Sequence, residues 1–193
     1  MITLYTAPSF EELPSISPAC LELETWLRMV KLPYNKVIVT AQSFELAPKG
    51  KIPFIDYQGK LVGDAFLIIE MLKQTERIDL DASLTATERA ISLAFRRMLK
   101  ENTVWGVAYI RYDKQNWQHF GALVARALFP KTPPEVSEPL AEEFRKTVLQ
   151  QMHLMESVVT VSRKSLRLSV VIFKLSQIFW LTNHFLWATN PRR

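Results

Sequence analysis

Few residue types in this 193-residue chain are arranged for chemistry. One cysteine, Cys20, excludes an internal disulfide and any cysteine-rich metal site. The three histidines, His119, His153 and His184, are scattered without ligand spacing. What remains is a set of main-chain and helix-cap positions. Ile52 precedes Pro53 and is therefore pushed extended, which exposes its backbone N–H and C=O beside a hairpin. Asp64 follows Gly63 at the start of a periodic apolar segment and is placed to cap a helix. Ser17-Pro18 reads as another N-cap and first helical position. Such groups hydrogen-bond rather than attack.

The elements that hold these positions follow from periodicity. Ile2 to Thr6 alternates like a strand, and Ala7 to Ser17 is a polar, proline-punctuated loop, long for a strand-to-helix connection. Leu21, Leu23, Trp26, Leu27 and Val30 supply the apolar side of a helix, with Glu22 and Glu24 near its start, where negative charge suits the helix dipole. Tyr34 to Thr40 is a β-branched strand, and Gln42 to Lys49 is irregular. Ile52 to Tyr57 and Lys60 to Val62 form a hairpin about Gln58-Gly59, and a helix capped by Asp64 runs to about Leu72. The order is β-α-β-β-β-α.

Thr75 to Asp81 is polar, and Ser83 to Glu88 offers a cap before Ala90, Leu93, Ala94, Met98 and Leu99, which recur at helical spacing. Helices are predicted over about Thr85 to Tyr112, Asn116 to Ala127 and Ser137 to Met155, with Pro130 to Pro134 breaking the last two. Trp105, Tyr109, Trp117 and Phe120 read as core or inter-domain aromatics. The net charge of +5 comes from the end of the chain. Residues 157–193 hold six basic residues and no acid, leaving 18 basic and 19 acidic residues in 1–156, so no basic face for nucleic acid is expected. No signal peptide is visible at Met1-Ile2-Thr3, and a cytoplasmic protein is expected.

Three segments together carry a resemblance over roughly residues 1–156. G-K-I-P, Gly50 to Pro53, resembles the cis-proline segment of the glutathione S-transferase superfamily. G-D-A-F-L-I-I-E-M-L, Gly63 to Leu72, resembles that superfamily's acid-Ser turn and third helix. S-P-A-C-L-E-L-E-T-W-L-R-M, Ser17 to Met29, resembles the first helix of the branch containing the failed-axon-connections and metaxin proteins. The resemblance implies an α/β thioredoxin-like domain over 1–74, a linker over 75–82 and an all-α, incomplete C-terminal domain over 83–156. Residues 157–193 form an atypical basic apolar tail.

The resemblance also implies a site for glutathione, taken as substrate, with no metal. Ile52, exposed by Pro53, would pair its backbone with the cysteinyl backbone of glutathione as an added strand. Asp64 would meet the γ-glutamyl ammonium, and the N–H groups opening the next helix would meet its carboxylate. Ser17 is either a thiol-activating hydroxyl or a simple N-cap. Cys20 falls where redox relatives keep a second cysteine. With Ser17 in the first place, it reads as a buried small hydrophobe. At Ala65 the family has a serine, so this chain offers only a backbone N–H there. Lys49 and Lys51 are solvated or help attract an anionic peptide. The partners implied are a small electrophile and a second copy of the chain in a homodimer. The alternative is a non-enzymatic thioredoxin-fold adaptor of the failed-axon-connections or metaxin kind.

Beyond Glu156 the composition changes. Leu168 to Ala188 is long enough to span a bilayer, but Lys174, Gln177, Asn183 and His184 are costly at membrane depth, so a membrane anchor is not the favoured reading. A shift of one nucleotide permits D-L-Q-A-L-S-D-F-L-A-D-K-P-F-F-M-G-D-K-P-T-T in place of Val171 to Arg193, which resembles the helical domain of transferase relatives. The expectation is a shifted-frame tail, leaving the Ala90 to Leu99 face without its apolar cover and the second domain poorly folded beyond residue 156.

Overall fold

Alternating side chains make the first strand two-faced. In β1 (Ile2–Thr6), Ile2, Leu4 and Thr6 are buried, while Thr3 and Tyr5 on the opposite face are half-buried. The architecture is taken from a computed structural model, which describes residues 1–9 and 12–153. β1 is followed by α1 (Pro18–Met29), β2 (Tyr34–Ile38), a one-turn α2 (Ala41–Phe44), β3 (Phe54–Tyr57), β4 (Lys60–Gly63) and α3 (Ala65–Thr75). The four strands form one mixed sheet in the order β2-β1-β3-β4, with β1 parallel to β2 and antiparallel to β3, and β3 antiparallel to β4.

Two helices cover one face of this sheet through the same spacing. Cys20, Leu23, Glu24 and Leu27 are the buried positions of α1, and Ala65, Ile68, Ile69 and Leu72 those of α3. Both sets follow i, i+3, i+4, i+7. Leu23, Leu27 and the four α3 residues pack with Ile2, Leu4 and Ile55 into one core. On the opposite face Phe54 packs with Val39 and Ala47, and its ring stacks on Tyr5 with centroids 4.4 Å apart. The hairpin turn forms at Gln58-Gly59, where both residues take positive φ (56° and 81°), the twist that two antiparallel strands favour. The predicted first sheet and its helices are thus present, with two adjustments. β2 stops at Ile38, and the segment read as irregular contains α2, whose Thr40 and Ser43 form a reciprocal capping box.

The remainder is helical: α4 (Ala86–Met98), a π-helical turn (Leu99–Thr103), α5 (Val104–Tyr112), α6 (Lys114–Leu128) and α7 (Pro134–His153). Thr85 and Glu88 cap α4 reciprocally, as the sequence suggested, and α7 opens earlier than expected with Pro134 at its first position. Tyr112 stacks on Trp117 at 5.5 Å and meets Phe120 edge-on at 5.7 Å, so these aromatics pack against one another. No residue of α4 is buried; Ile91 and Leu93 are 40% and 49% exposed on it. By internal packing the described chain divides into two units, Met1–Ser83 with Gly121–Ala141, and Leu84–Phe120 with the residues from Glu142. No described helix is long and apolar enough to cross a membrane. The readings placed on residues 157–193, a membrane anchor or a shifted-frame tail, and the predicted helix end at Met155 lie outside the described residues.

Candidate functional site

Strand register decides which of the candidate residues meet. Tyr5 pairs with Phe54, and Phe54 pairs with Gly63, so the end of β1, the start of β3 and the end of β4 form one row across the sheet. Adjacent strands in such a row are about 5 Å apart. The loop leading to Ser17 leaves this row from Thr6, Ile52-Pro53 enters it at Phe54, and Asp64-Ala65 leave it from Gly63. The predicted site residues Ser17, Ile52, Pro53, Asp64 and Ala65 therefore all stand at one end of the sheet, inside one packing unit.

Local chemistry fixes each of them. The Ile52–Pro53 peptide bond is cis, Pro53 is fully buried, and Ile52 packs beside Val39, Ala47 and Phe54. A Cβ placed on Gly63 would lie 3.6–3.7 Å from the Pro48 ring, so the chain leading to Ile52 runs against the end of β4. Asp64 holds φ +76°, a conformation that costs a non-glycine residue energy and is concentrated at functional sites. Its Oδ1 accepts hydrogen bonds from Phe66 N–H at 2.9 Å and Leu67 N–H at 3.3 Å, which makes it the N-cap of α3. Ala65, directly after it, is buried.

Ser17 is the N-cap of α1: its Oγ accepts the Cys20 N–H at 3.4 Å. Accepting that bond leaves the hydroxyl proton as a donor, so capping and donation to a thiolate are compatible in one group. Cys20 is fully buried on the apolar side of α1, in keeping with a small hydrophobe.

Three buried polar residues of this region were not singled out by the sequence. Ser15 is buried and ties the loop: its hydroxyl donates to Ala7 O at 3.3 Å and accepts Ser17 N–H at 3.3 Å. Thr6 is fully buried, and its Oγ1 has no hydrogen-bond partner among the described residues. Glu24 is not a solvent-facing partner of the helix dipole. It is 1% exposed and accepts from Lys36 Nζ at 2.8 Å, Arg28 Nη2 at 2.9 Å and Tyr34 Oη–H at 3.2 Å. Arg28 Nε also donates to Tyr34 Oη at 3.3 Å, and this hydrogen bond, with Glu24 behind it, raises the Arg28 guanidinium above its ordinary range. The signal for Glu24 was its register: it stands four residues after Cys20 and three before Leu27, on the buried stripe.

Residues 18–117 match the glutathione S-transferase N-terminal domain, just over half of the chain. The chain belongs to the glutathione S-transferase family. Among its relatives is the Drosophila melanogaster protein failed axon connections, 38% identical over 111 residues, which are 58% of this chain and 26% of the fly protein. Another is the isoprene-epoxide–glutathione S-transferase of Rhodococcus sp. strain AD45, 31% identical over 153 residues, 77% of this chain and 63% of the bacterial enzyme. The chain thus spans about a quarter of one relative and under two thirds of the other. A glutathione S-transferase of Ceriporiopsis subvermispora, solved in complex with glutathione, superposes with a TM-score of 0.55 at 19% identity, over 88% of this chain and 70% of that one. The beta-etherase LigF of Sphingobium sp. strain SYK-6 gives 0.54 at 20% identity, over 91% and 70%. At these identities the two structures establish that this family member shares the transferase fold.

Proposed function

We propose that this transferase-family protein binds glutathione at the end of its sheet and activates the thiol for attack on a small electrophile. The observation that carries the reading is the register that gathers the Ser17 loop, the cis Ile52–Pro53 bond and the Asp64 cap at one end of the sheet. Ile52, directly before the cis bond to Pro53, offers its N–H and C=O to the cysteinyl backbone of the peptide as an antiparallel strand. Asp64 takes the γ-glutamyl ammonium. Phe66 and Leu67 already donate to Asp64, so the Ala65 N–H is the group offered to the γ-glutamyl carboxylate. Ser17 donates its proton to the thiolate while Cys20 N–H occupies its acceptor side, and this bond together with the α1 N-terminus lowers the thiol pKa. The relative from Rhodococcus is named for conjugating an epoxide with glutathione, which supports an electrophilic second substrate. In this reading residues 1–74 form the glutathione-binding domain, 75–82 a linker and 83–156 a helical domain, in a cytoplasmic protein able to form a homodimer.

The second reading is a non-enzymatic thioredoxin-fold adaptor, in which the same end of the sheet binds nothing or a peptide strand. It is favoured by Ala65, which lacks the hydroxyl for the γ-glutamyl carboxylate, and by the similarity to failed axon connections. Calorimetric titration of the full chain with glutathione separates the two. Saturable heat in the millimolar range or below is expected; absence of heat at millimolar ligand would sink the transferase reading.

A further inference from the structure

The loop from Ala7 to Ser17 is long, and its last residues are pinned one by one. Ile16 N–H donates to Pro8 O at 2.9 Å, and Ser15 bridges Ala7 O and Ser17 N–H. Pro14 has no N–H and is held instead through its carbonyl, which accepts a 2.8 Å hydrogen bond from Lys36 Nζ. That ammonium also donates to Glu24 Oε2 at 2.8 Å. Tyr34 and Lys36 alternate on one face of the edge strand β2, opposite Ile2 and Leu4, and so point to the α1 side of the sheet.

A carboxylate 1% exposed is costly unless it is neutralised and hydrogen-bonded. Arg28 and Tyr34 already occupy Glu24 Oε1. Lys36 completes the set on Oε2, and with the same group reaches the residue three before Ser17. For neutralisation alone a lysine needs no contact with the loop. The second bond is what ties the buried charge to Pro14.

We infer that Lys36, seated on the buried Glu24 carboxylate, is a positioning residue: by holding the Pro14 carbonyl it fixes the loop that carries the Ser17 hydroxyl. The inference rests on the glutathione reading for what Ser17 does, but the clamp itself can be measured without ligand. The ion pair ties α1 and β2 to the loop, and Ser17 can hold one hydroxyl orientation only while the residues before it hold one path.

The experiment uses the full chain and two variants, K36M and the double variant E24Q/K36M, which removes the buried charge that the single change leaves under-neutralised. Amide hydrogen exchange is read at Ser15, Ile16 and Ser17 against Leu4 and Ile55 in the sheet. In parallel, thiolate absorbance of bound glutathione is titrated against pH. In both variants the three loop amides are expected to exchange at least about tenfold faster with the sheet amides unchanged. The bound thiol pKa is expected to rise by about one unit, a tenfold loss of thiolate below it. Unchanged loop exchange in K36M overturns the clamp. So does exchange that rises in K36M but returns to the wild-type value in E24Q/K36M, because the effect is then the unpaired charge. Faster loop exchange with an unchanged thiol pKa overturns the positioning role. If the wild-type chain gives no heat with glutathione, the transferase reading fails by itself, and loop exchange alone decides the clamp.

Discussion

Removing the Ser17 hydroxyl tests the proposed chemistry most directly, because the same oxygen has two separable roles. As N-cap it accepts the Cys20 N–H at 3.4 Å, and loss of such a cap in Ser17→Ala costs about 1 kcal/mol of stability. As donor to a thiolate it contributes a charge-assisted hydrogen bond of about 1.5–3 kcal/mol. At about 1.36 kcal/mol per pKa unit, losing that bond raises the bound thiol by about one to two units. Ser17→Ala alone confounds the two losses, so Ser17→Asp is the informative partner. Aspartate caps a helix about as well as serine, but it has no proton to donate and sets a negative charge beside the thiolate. The expected pattern is a lowered melting temperature for Ser17→Ala, a near-normal one for Ser17→Asp, and a raised thiol pKa in both, read from the pH dependence of thiolate absorbance with glutathione bound. A Ser17→Asp protein whose bound thiol titrates as in the wild type would refute the assignment and leave Ser17 as a cap only.

Four further outcomes follow from particular contacts. If glutathione binds as proposed, Ala65→Ser adds a hydroxyl at the start of α3 for the γ-glutamyl carboxylate and should tighten glutathione by about tenfold or more, from one charge-assisted hydrogen bond; an unchanged calorimetric Kd removes Ala65 from the proposed site. Thr6→Val replaces a fully buried hydroxyl that has no partner among the described residues, and should raise stability by about 1 kcal/mol in urea unfolding; a loss of stability means that Thr6 Oγ1 has a partner in solution. Phe54→Ala removes a fully buried ring stacked on Tyr5 and should cost about 3–5 kcal/mol, seen as a lowered urea midpoint; a change below about 1 kcal/mol would contradict the second core. Burial raises the Tyr112 phenol above its ordinary value of about 10, so the folded chain keeps a proton that the unfolded chain releases. Its stabilising contribution is intact below about pH 10 and is lost as pH rises through the folded value. The phenolate absorbance of the wild type minus that of Tyr112→Phe should show this late ionisation, and a component at or below the ordinary value contradicts it.

Local pattern determined much of this protein. The alternation of Ile2, Leu4 and Thr6, the Gln58-Gly59 turn and the caps at Ser17, Asp64 and Thr85 are short-range features, written in neighbouring residues, and each forms where its chemistry predicts. The candidate site residues were singled out for the same reason. Pro53 and Asp64 act through backbone geometry that a proline or a helix start imposes by itself. What only the tertiary structure decided is which of these ends meet. The pairing of Tyr5 with Phe54 is a non-local choice of strand order, and together with the hairpin pairing of Phe54 with Gly63 it puts the Ser17 loop, Ile52 and Asp64 at one end of the sheet. Glu24 shows the same limit for a single residue. In sequence it is an acid near a helix start, and its meaning changes once β2 lies beside β1 and brings Tyr34 and Lys36 over α1. A buried charge is set by partners that arrive from elsewhere in the chain, and their arrival is a property of the packed sheet, not of the helix that carries the charge.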